Sequence, residues 1–217
     1  IKDSMNCCEH CDATEEVFGP EKASRDLKRY AQKGPDKTTE LMLSSIRKTK
    51  LKDAQLLDIG GGIGVLHHEL FKDTIIRAIH VDASSAFIGV AREQDQVHGK
   101  EAQVDYIHGD VVDLSSSLPT SQIVTLDRVI CCYPDWENLV KVTAEKAEDI
   151  YIFSIPRDRW FVKMVIGLEN LYRRIKGDAF RAFVHSSDEL NRLLGEMGFK
   201  QLSVDATLSW QVFTFTR

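Results

Sequence analysis

The chain has 217 residues, 43% of them hydrophobic and 28% charged. That length suits one α/β domain around a single core and leaves no room for two full domains. Its 28 Lys and Arg against 33 Asp and Glu give a net charge of −5, which excludes a protein that binds polyanions over its whole surface.

The longest stretch without a charged residue runs from Leu114 to Leu126 and is serine-rich. It falls short of the ~20 apolar residues that a membrane-spanning helix needs. No basic start followed by an apolar core marks a secretory signal, and Ile rather than Met at position 1 leaves the true start open. Five cysteines, with adjacent pairs Cys7-Cys8 and Cys131-Cys132, make a poor disulfide framework. A reducing cytoplasm is therefore the expected location.

In chain order, residues 1–20 read as a flexible, cysteine-bearing lead-in that ends at Gly19-Pro20. Residues 21–33 and 36–50 have helical patterning, broken by Gly34-Pro35, and make an N-terminal cap over positions 21–50. The main domain follows at 51–217. Its strands are expected at 55–59, 75–81, 103–108, 123–126 and 150–154, with helices at 65–72, 84–97 and 135–145 between them. Such alternation predicts βαβ units and a parallel sheet covered on both faces. Past residue 156 the pattern changes. Trp160, Phe161, Met164, Val165, Leu168, Leu171, Tyr172 and Ile175 recur at helical spacing, within an insertion at about 157–185. Ser186 and Glu189 have capping-box spacing for a helix ending near Met197, with Gly198 just past it. Residues 200–206 and 209–216 then read as an antiparallel pair at one edge.

The sharpest motif is Asp58-Ile59-Gly60-Gly61-Gly62-Ile63-Gly64, where the first strand meets the next helix. Glycines there let the chain turn tightly and let a ligand approach main-chain N–H groups without meeting a Cβ. The dinucleotide fingerprint Gly-x-Gly-x-x-Gly is completed in neither register, because Val65 or His67 stands where its third glycine belongs. A tight βα turn with no ligand is the plain alternative.

This segment resembles motif I of the class I S-adenosylmethionine-dependent methyltransferases, a likeness that extends over residues 35–217, in its later part by architecture. The resemblance implies S-adenosyl-L-methionine as cofactor and S-adenosyl-L-homocysteine as product. It also implies a Rossmann-like sheet of seven strands in the order 3-2-1-4-5-7-6, with strand 7 antiparallel. Residue by residue, Gly60, Gly61, Gly62 and Gly64 match the cofactor loop, and Asp58 resembles the acid that serves the methionyl amino group. An acid between Leu57 and Ile59 needs a cationic partner. Asp82 closes the second strand 22 positions after Gly60 and resembles the carboxylate that chelates the ribose hydroxyls, with Ala83 beside it. Gly109-Asp110-Val111 resembles the adenine site, with Asp110 accepting from the amino group and Val111 against the ring. Asp127 and Arg128 end the fourth strand, where the family faces the sulfonium and the acceptor; a structural ion pair is the alternative. Tyr30 and Lys37, in the cap helices, are expected to touch the cofactor.

A sulfonium methyl is already electrophilic, so a site of this kind works by holding a nucleophile in line, excluding water and removing a proton where the acceptor carries one. Asp127, Tyr133 and His185 are the candidate catalytic residues, and Arg157 is a further candidate at the acceptor. Between Arg157 and Arg181 lie seven basic and three acidic residues. The helix is expected to dock its apolar stripe on the sheet and leave the basic face in water. A lid over an apolar or anionic acceptor and attachment to a membrane surface are the alternatives. A long helix after the fifth strand also resembles the magnesium-protoporphyrin O-methyltransferases, which implies a bulky planar acceptor.

Cys7, Cys8, His10 and Cys11 lack the second knuckle of a structural zinc site, so no metal is expected. Nor is a nucleic-acid partner expected, since the Asn/Asp-Pro-Pro-Tyr type of motif is missing and the net charge is negative. The leading reading is a methyltransferase acting at oxygen or nitrogen of a small molecule. An NAD(P)-dependent oxidoreductase and a non-catalytic S-adenosylmethionine-binding protein remain as alternatives.

Overall fold

The computed structural model describes residues 14, 15 and 17–217; Cys7, Cys8, His10 and Cys11 lie outside them. Helix α1 (Pro20–Lys33) begins on a proline, whose missing N–H costs nothing in a first turn, and ends at Gly34 with φ +72°. Helix α2 (Lys37–Lys48) is capped by Asp36, whose carboxylate accepts from the backbone N–H groups of Thr38 and Thr39. Next come β1 (Ala54–Ile59), α3 (Val65–Leu70), β2 (Ile75–Asp82), α4 (Ser85–Val97), β3 (Val104–His108) and the single turn α5 (Val111–Leu114). The chain continues through β4 (Ser121–Asp127), α6 (Trp136–Ala144), β5 (Ala147–Pro156), α7 (Trp160–Ile175), α8 (Ser187–Glu196), β6 (Lys200–Ala206) and β7 (Trp210–Thr216).

The seven strands form one sheet in the order β3-β2-β1-β4-β5-β7-β6. Pairings among β1 to β5 are parallel, and β7 runs antiparallel to both β5 and β6. This is the expected topology. Alternation along each strand sorts the apolar residues into two layers. Leu57 and Ile59 pack with Leu139 and Val140 of α6 and with Leu190 and Leu194 of α8. Leu56 points the other way, into Met42, Leu43 and Ile46 of α2 and Leu66 and Leu70 of α3. Strand β5 begins earlier than expected because Glu148 and Asp149 are exposed at the end of a strand whose Ala147 already pairs with Ser121.

Helix α7 corrects the expectation that its apolar stripe docks on the sheet. Trp160, Met164, Val165, Leu168, Leu171, Tyr172 and Ile175 are 51–76% exposed. The opposite face turns inward instead, with Val162 buried and Ile166, Glu169 and Arg173 lining the central cavity. Residue spacing alone shows that two faces exist, not which of them the sheet covers. Among the described residues, no helix is long and apolar enough to cross a membrane.

Candidate active site

The carboxyl ends of the parallel strands open into a cavity of about 480 Å³, roofed by α1, the start of α2 and α7. Strand β1 delivers Asp58 and the glycine turn to its floor. Gly60 and Gly62 sit at φ +62° and +58°, conformations that other residues rarely hold. A Cβ on Gly60 would fall 2.4 Å from Val129 Cγ2, so the turn is also packed against the loop after β4. Gly64, at φ +84°, does not line the cavity; it is the N-cap of α3, where a side chain would strike His67.

Asp82 ends β2 beside this turn. Its Oδ2 accepts from Gly62 N–H at 2.8 Å and its Oδ1 from Ser84 N–H at 2.7 Å. Burial pushes the carboxyl up to about 6, and those two backbone donors hold it from rising further. The aromatic rings of Phe18, Phe87 and Phe180 close this end in edge-on contacts, with Lys22 over Phe18. After β3, Asp110 caps α5 through Val112 N–H and accepts from the Tyr133 hydroxyl at 2.8 Å. Ala83, Gly109, Asp110, Val111 and Tyr133 all line the cavity.

At the other end, Asp127 is held by two hydroxyls. Its Oδ1 accepts from Ser154 Oγ at 2.6 Å and its Oδ2 from Thr39 Oγ1 at 2.8 Å. Arg128 follows at φ +63°, a strained conformation for a side-chain-bearing residue. Three contacts hold it there. Its N–H donates to Ser154 Oγ, its guanidinium pairs with Asp36, and the guanidinium lies 5.4 Å from the centre of the Trp210 ring. Burial alone would raise the Asp36 carboxyl, but Arg128 and the α2 N-terminus hold it below its ordinary value. The Cys131 and Cys132 thiols complete the wall, 3.6 Å apart, and the neighbouring thiol together with burial keeps Cys131 protonated.

Four further sequence-predicted residues lie elsewhere. Tyr30 donates to Glu69 Oε1 at 2.7 Å and stacks on His68, because this face of α1 packs on α3 rather than over the cavity. His185 bonds the Ile130 carbonyl at 3.0 Å and sits against Trp136 and Phe183, behind the wall; burial holds its imidazole below the usual value. Arg157 donates to the Thr207 carbonyl and lines nothing in the cavity. Lys37, in the first turn of α2, does not line it either. Sequence reading missed Asp36, Thr39, Phe18 and Trp210, which no motif flags because they arrive from chain segments distant from the glycine turn. It also missed that Tyr133 serves Asp110.

Residues 26–126 match the family model described as methyltransferase small domain. The antiparallel β7 between β5 and β6 also departs from the strand order of dinucleotide-binding sheets. The protein carries a methyltransferase domain. No curated protein matches the chain by sequence. Among solved structures it is similar to the magnesium protoporphyrin IX methyltransferase ChlM of Synechocystis PCC 6803 with bound SAH, with TM-score 0.74 and 16% identity over 94% of this chain and 97% of that one. It is similar to the pyocyanin biosynthetic protein PhzM at TM-score 0.62 and 18% identity, over 99% of this chain and 62% of that one. A third likeness is to an O-methyltransferase family 2 protein of Planctomyces limnophilus in complex with apigenin, at TM-score 0.59 and 15% identity, over 83% and 62%. The cradle fits the cofactor: Gly60, Gly61 and Gly62 present main chain without a Cβ along the turn, and carboxylates stand at three successive strand ends.

Proposed function

We propose that the protein is a class I S-adenosylmethionine-dependent methyltransferase that acts on oxygen or nitrogen of a small-molecule acceptor in the cytoplasm. The carrying observation is the roofed cavity. At about 480 Å³ it lies in the lower half of the ~300–1,000 Å³ range of ligand pockets. It must hold cofactor and acceptor together, which suits a compact acceptor. The structural relatives named above carry porphyrin, pyocyanin and apigenin in their descriptions, which supports the same class.

In this reading the bound cofactor supplies an electrophilic methyl group. Asp82 and Ala83 take the ribose, Asp110 and Val111 the adenine, and Gly60, Gly61 and Gly62 the methionyl part, while Asp58, 1% exposed with its Oδ2 beneath Gly61, supports the turn from behind. Gly64 shapes the turn without touching the ligand. Tyr133 is a positioning residue that fixes the Asp110 carboxylate. Asp127 is the catalytic candidate that the geometry favours. Each of its oxygens keeps a lone pair after bonding Thr39 or Ser154 and can take the acceptor's proton. Arg128, anchored by Asp36 and Trp210, offers a cation to an acidic acceptor. Ile166 and Trp210 exclude water from the reacting end. Residues 21–50 and 157–185 then serve as cap and lid over the catalytic domain at 51–217.

The test is incubation of the protein with methyl-labelled S-adenosylmethionine and a size-fractionated cell extract. Label is expected in the low-molecular-weight fraction, and the Asp127→Asn variant should lose it. Label in protein or nucleic acid overturns the acceptor class. No label in any fraction supports a binding protein without turnover.

A further inference from the structure

Directly behind the glycine turn, a row of polar residues crosses the sheet face that α3 covers. Parallel register places Tyr106 of β3 beside His80 of β2, His80 beside Asp58 of β1, and Asp58 beside Thr125 of β4. The surrounding residues on this face, Leu56, Ala78, Leu66 and Leu70, are apolar and buried. Helix α3 adds His67 from above, and α4 adds Asp95. His67, His80 and Asp95 are fully buried, and Asp58 is 1% exposed.

Hydrogen bonding in this layer is lopsided. Asp95 Oδ2 accepts from His67 Nε2 at 3.0 Å and from the Tyr106 hydroxyl. Asp58 Oδ1 accepts from Thr125 Oγ1 at 2.7 Å. Asp95 Oδ1 lies 3.0 Å from His68 Nε2, whereas Asp58 Oδ2, His67 Nδ1 and both nitrogens of His80 have no hydrogen-bond partner. Asp58 Oδ2 and His67 Nδ1 are 3.9 Å apart, and with one His80 nitrogen they all lie within 4.8 Å of one another. A Cβ on residue 61 would stand 2.5 Å from His80 Nδ1 and 2.9 Å from Asp58 Oδ2, so Gly61 is what lets both side chains reach under the turn.

With His67 and His80 neutral and their lone pairs turned inward, three lone pairs would converge in this apolar layer and forfeit their solvation unless a cation lay between them. With Asp95 holding the Nε2 proton, His67 presents Nδ1 as a donor atom, the arrangement in which an outer carboxylate orients a metal-bound imidazole. Two imidazoles and a carboxylate suit zinc and similar divalent transition ions rather than magnesium or calcium. Bonds of about 2.0–2.1 Å put tetrahedral donors about 3.3 Å apart, so the three side chains need close by only about half to one and a half ångströms. We propose that Asp58, His67 and His80 form a zinc-type metal site, with Asp95 as the orienting carboxylate. An ion there ties β1, β2 and α3 together at the back of the cofactor cradle.

The test uses the chelator-dialysed protein titrated with cobalt(II), followed by zinc. One equivalent of cobalt with a visible d–d spectrum, lost when zinc is added, is expected. Zinc at about a hundredfold excess over its dissociation constant should raise the melting temperature by about 5–10 °C. His80→Leu removes one ligand and an unpartnered buried ring at similar volume, so it should fold, yet bind no cobalt and lose the zinc-dependent shift. His67→Gln should behave likewise. A cobalt spectrum dominated by a near-ultraviolet thiolate band, abolished by serine at Cys7, Cys8 and Cys11, would place the ion at the N-terminus and overturn the proposal. Wild-type protein that binds no cobalt, with a melting temperature indifferent to zinc and chelator, would overturn it as well. A proton or a water molecule would then bridge His67 and Asp58. None of these readouts depends on the methyl acceptor.

Discussion

Asp82→Asn separates cofactor recognition from folding. The native carboxylate accepts from Gly62 and Ser84 at 2.8 and 2.7 Å and lines the cavity. Asparagine keeps the shape but offers one acceptor oxygen, and its amide nitrogen faces a donor. The bond lost to the glycine turn is missing in free and bound protein alike, so it cancels in the affinity. The bond lost to a ribose hydroxyl does not cancel. A charge-assisted hydrogen bond is worth about 1.5–3 kcal/mol, which is a ten- to hundredfold weaker affinity at ~1.4 kcal/mol per decade. Stability should change little, because the variant escapes the burial that pushes the native carboxyl up to about 6. One backbone bond of about 1 kcal/mol is lost against that relief, so the melting temperature should stay within about 4 °C of wild type. Calorimetry with S-adenosylhomocysteine measures the first quantity and thermal unfolding the second. An affinity within threefold of wild type would refute the ribose assignment.

Gly60→Ala and Gly62→Ala share a left-handed backbone, which costs about 1–2 kcal/mol each, but only the first clashes with a side chain, Val129 at 2.4 Å, where the second meets Phe87 at an ordinary 3.5 Å. Urea unfolding should therefore show Gly60→Ala less stable than Gly62→Ala by about 1–3 kcal/mol; equal losses would mean the turn does not pack as described. Tyr133→Phe should weaken cofactor affinity about two- to tenfold through the loosened Asp110 and leave kcat unchanged. A collapsed kcat with normal affinity would make the phenol catalytic. The Asp36–Arg128 pair has a pH signature with a definite sign. The folded carboxyl lies below its ordinary value of 3.8, so its stabilisation is complete above that pH and disappears as pH falls through the lower folded value. Arg128→Met should flatten the acid limb of the stability–pH curve, and an unchanged limb would show that the pair contributes nothing.

Much of this protein is written in short-range order. Alternating apolar runs, separated by helical periods, specify a covered parallel sheet because each strand residue faces the layer opposite to its neighbour's. Four glycines within five residues mark the cradle, three of them at positive φ and Gly61 where a Cβ would strike His80 and Asp58. Asp82 and Asp110 are legible because strand ends bring fixed sequence offsets to one rim. What the tertiary structure alone decides is which faces meet. The stripe of α7 has the same period whether it packs on the sheet or faces solvent, and the fold exposes it. Tyr30 and His185 carry suitable chemistry, but their helix face and loop turn them onto Glu69 and the Ile130 carbonyl. The requirement that Asp58 find a cationic partner follows from its burial among leucines and isoleucines. That His67 and His80 converge on it depends on parallel register and on the seating of α3, long-range contacts to which local sequence is blind.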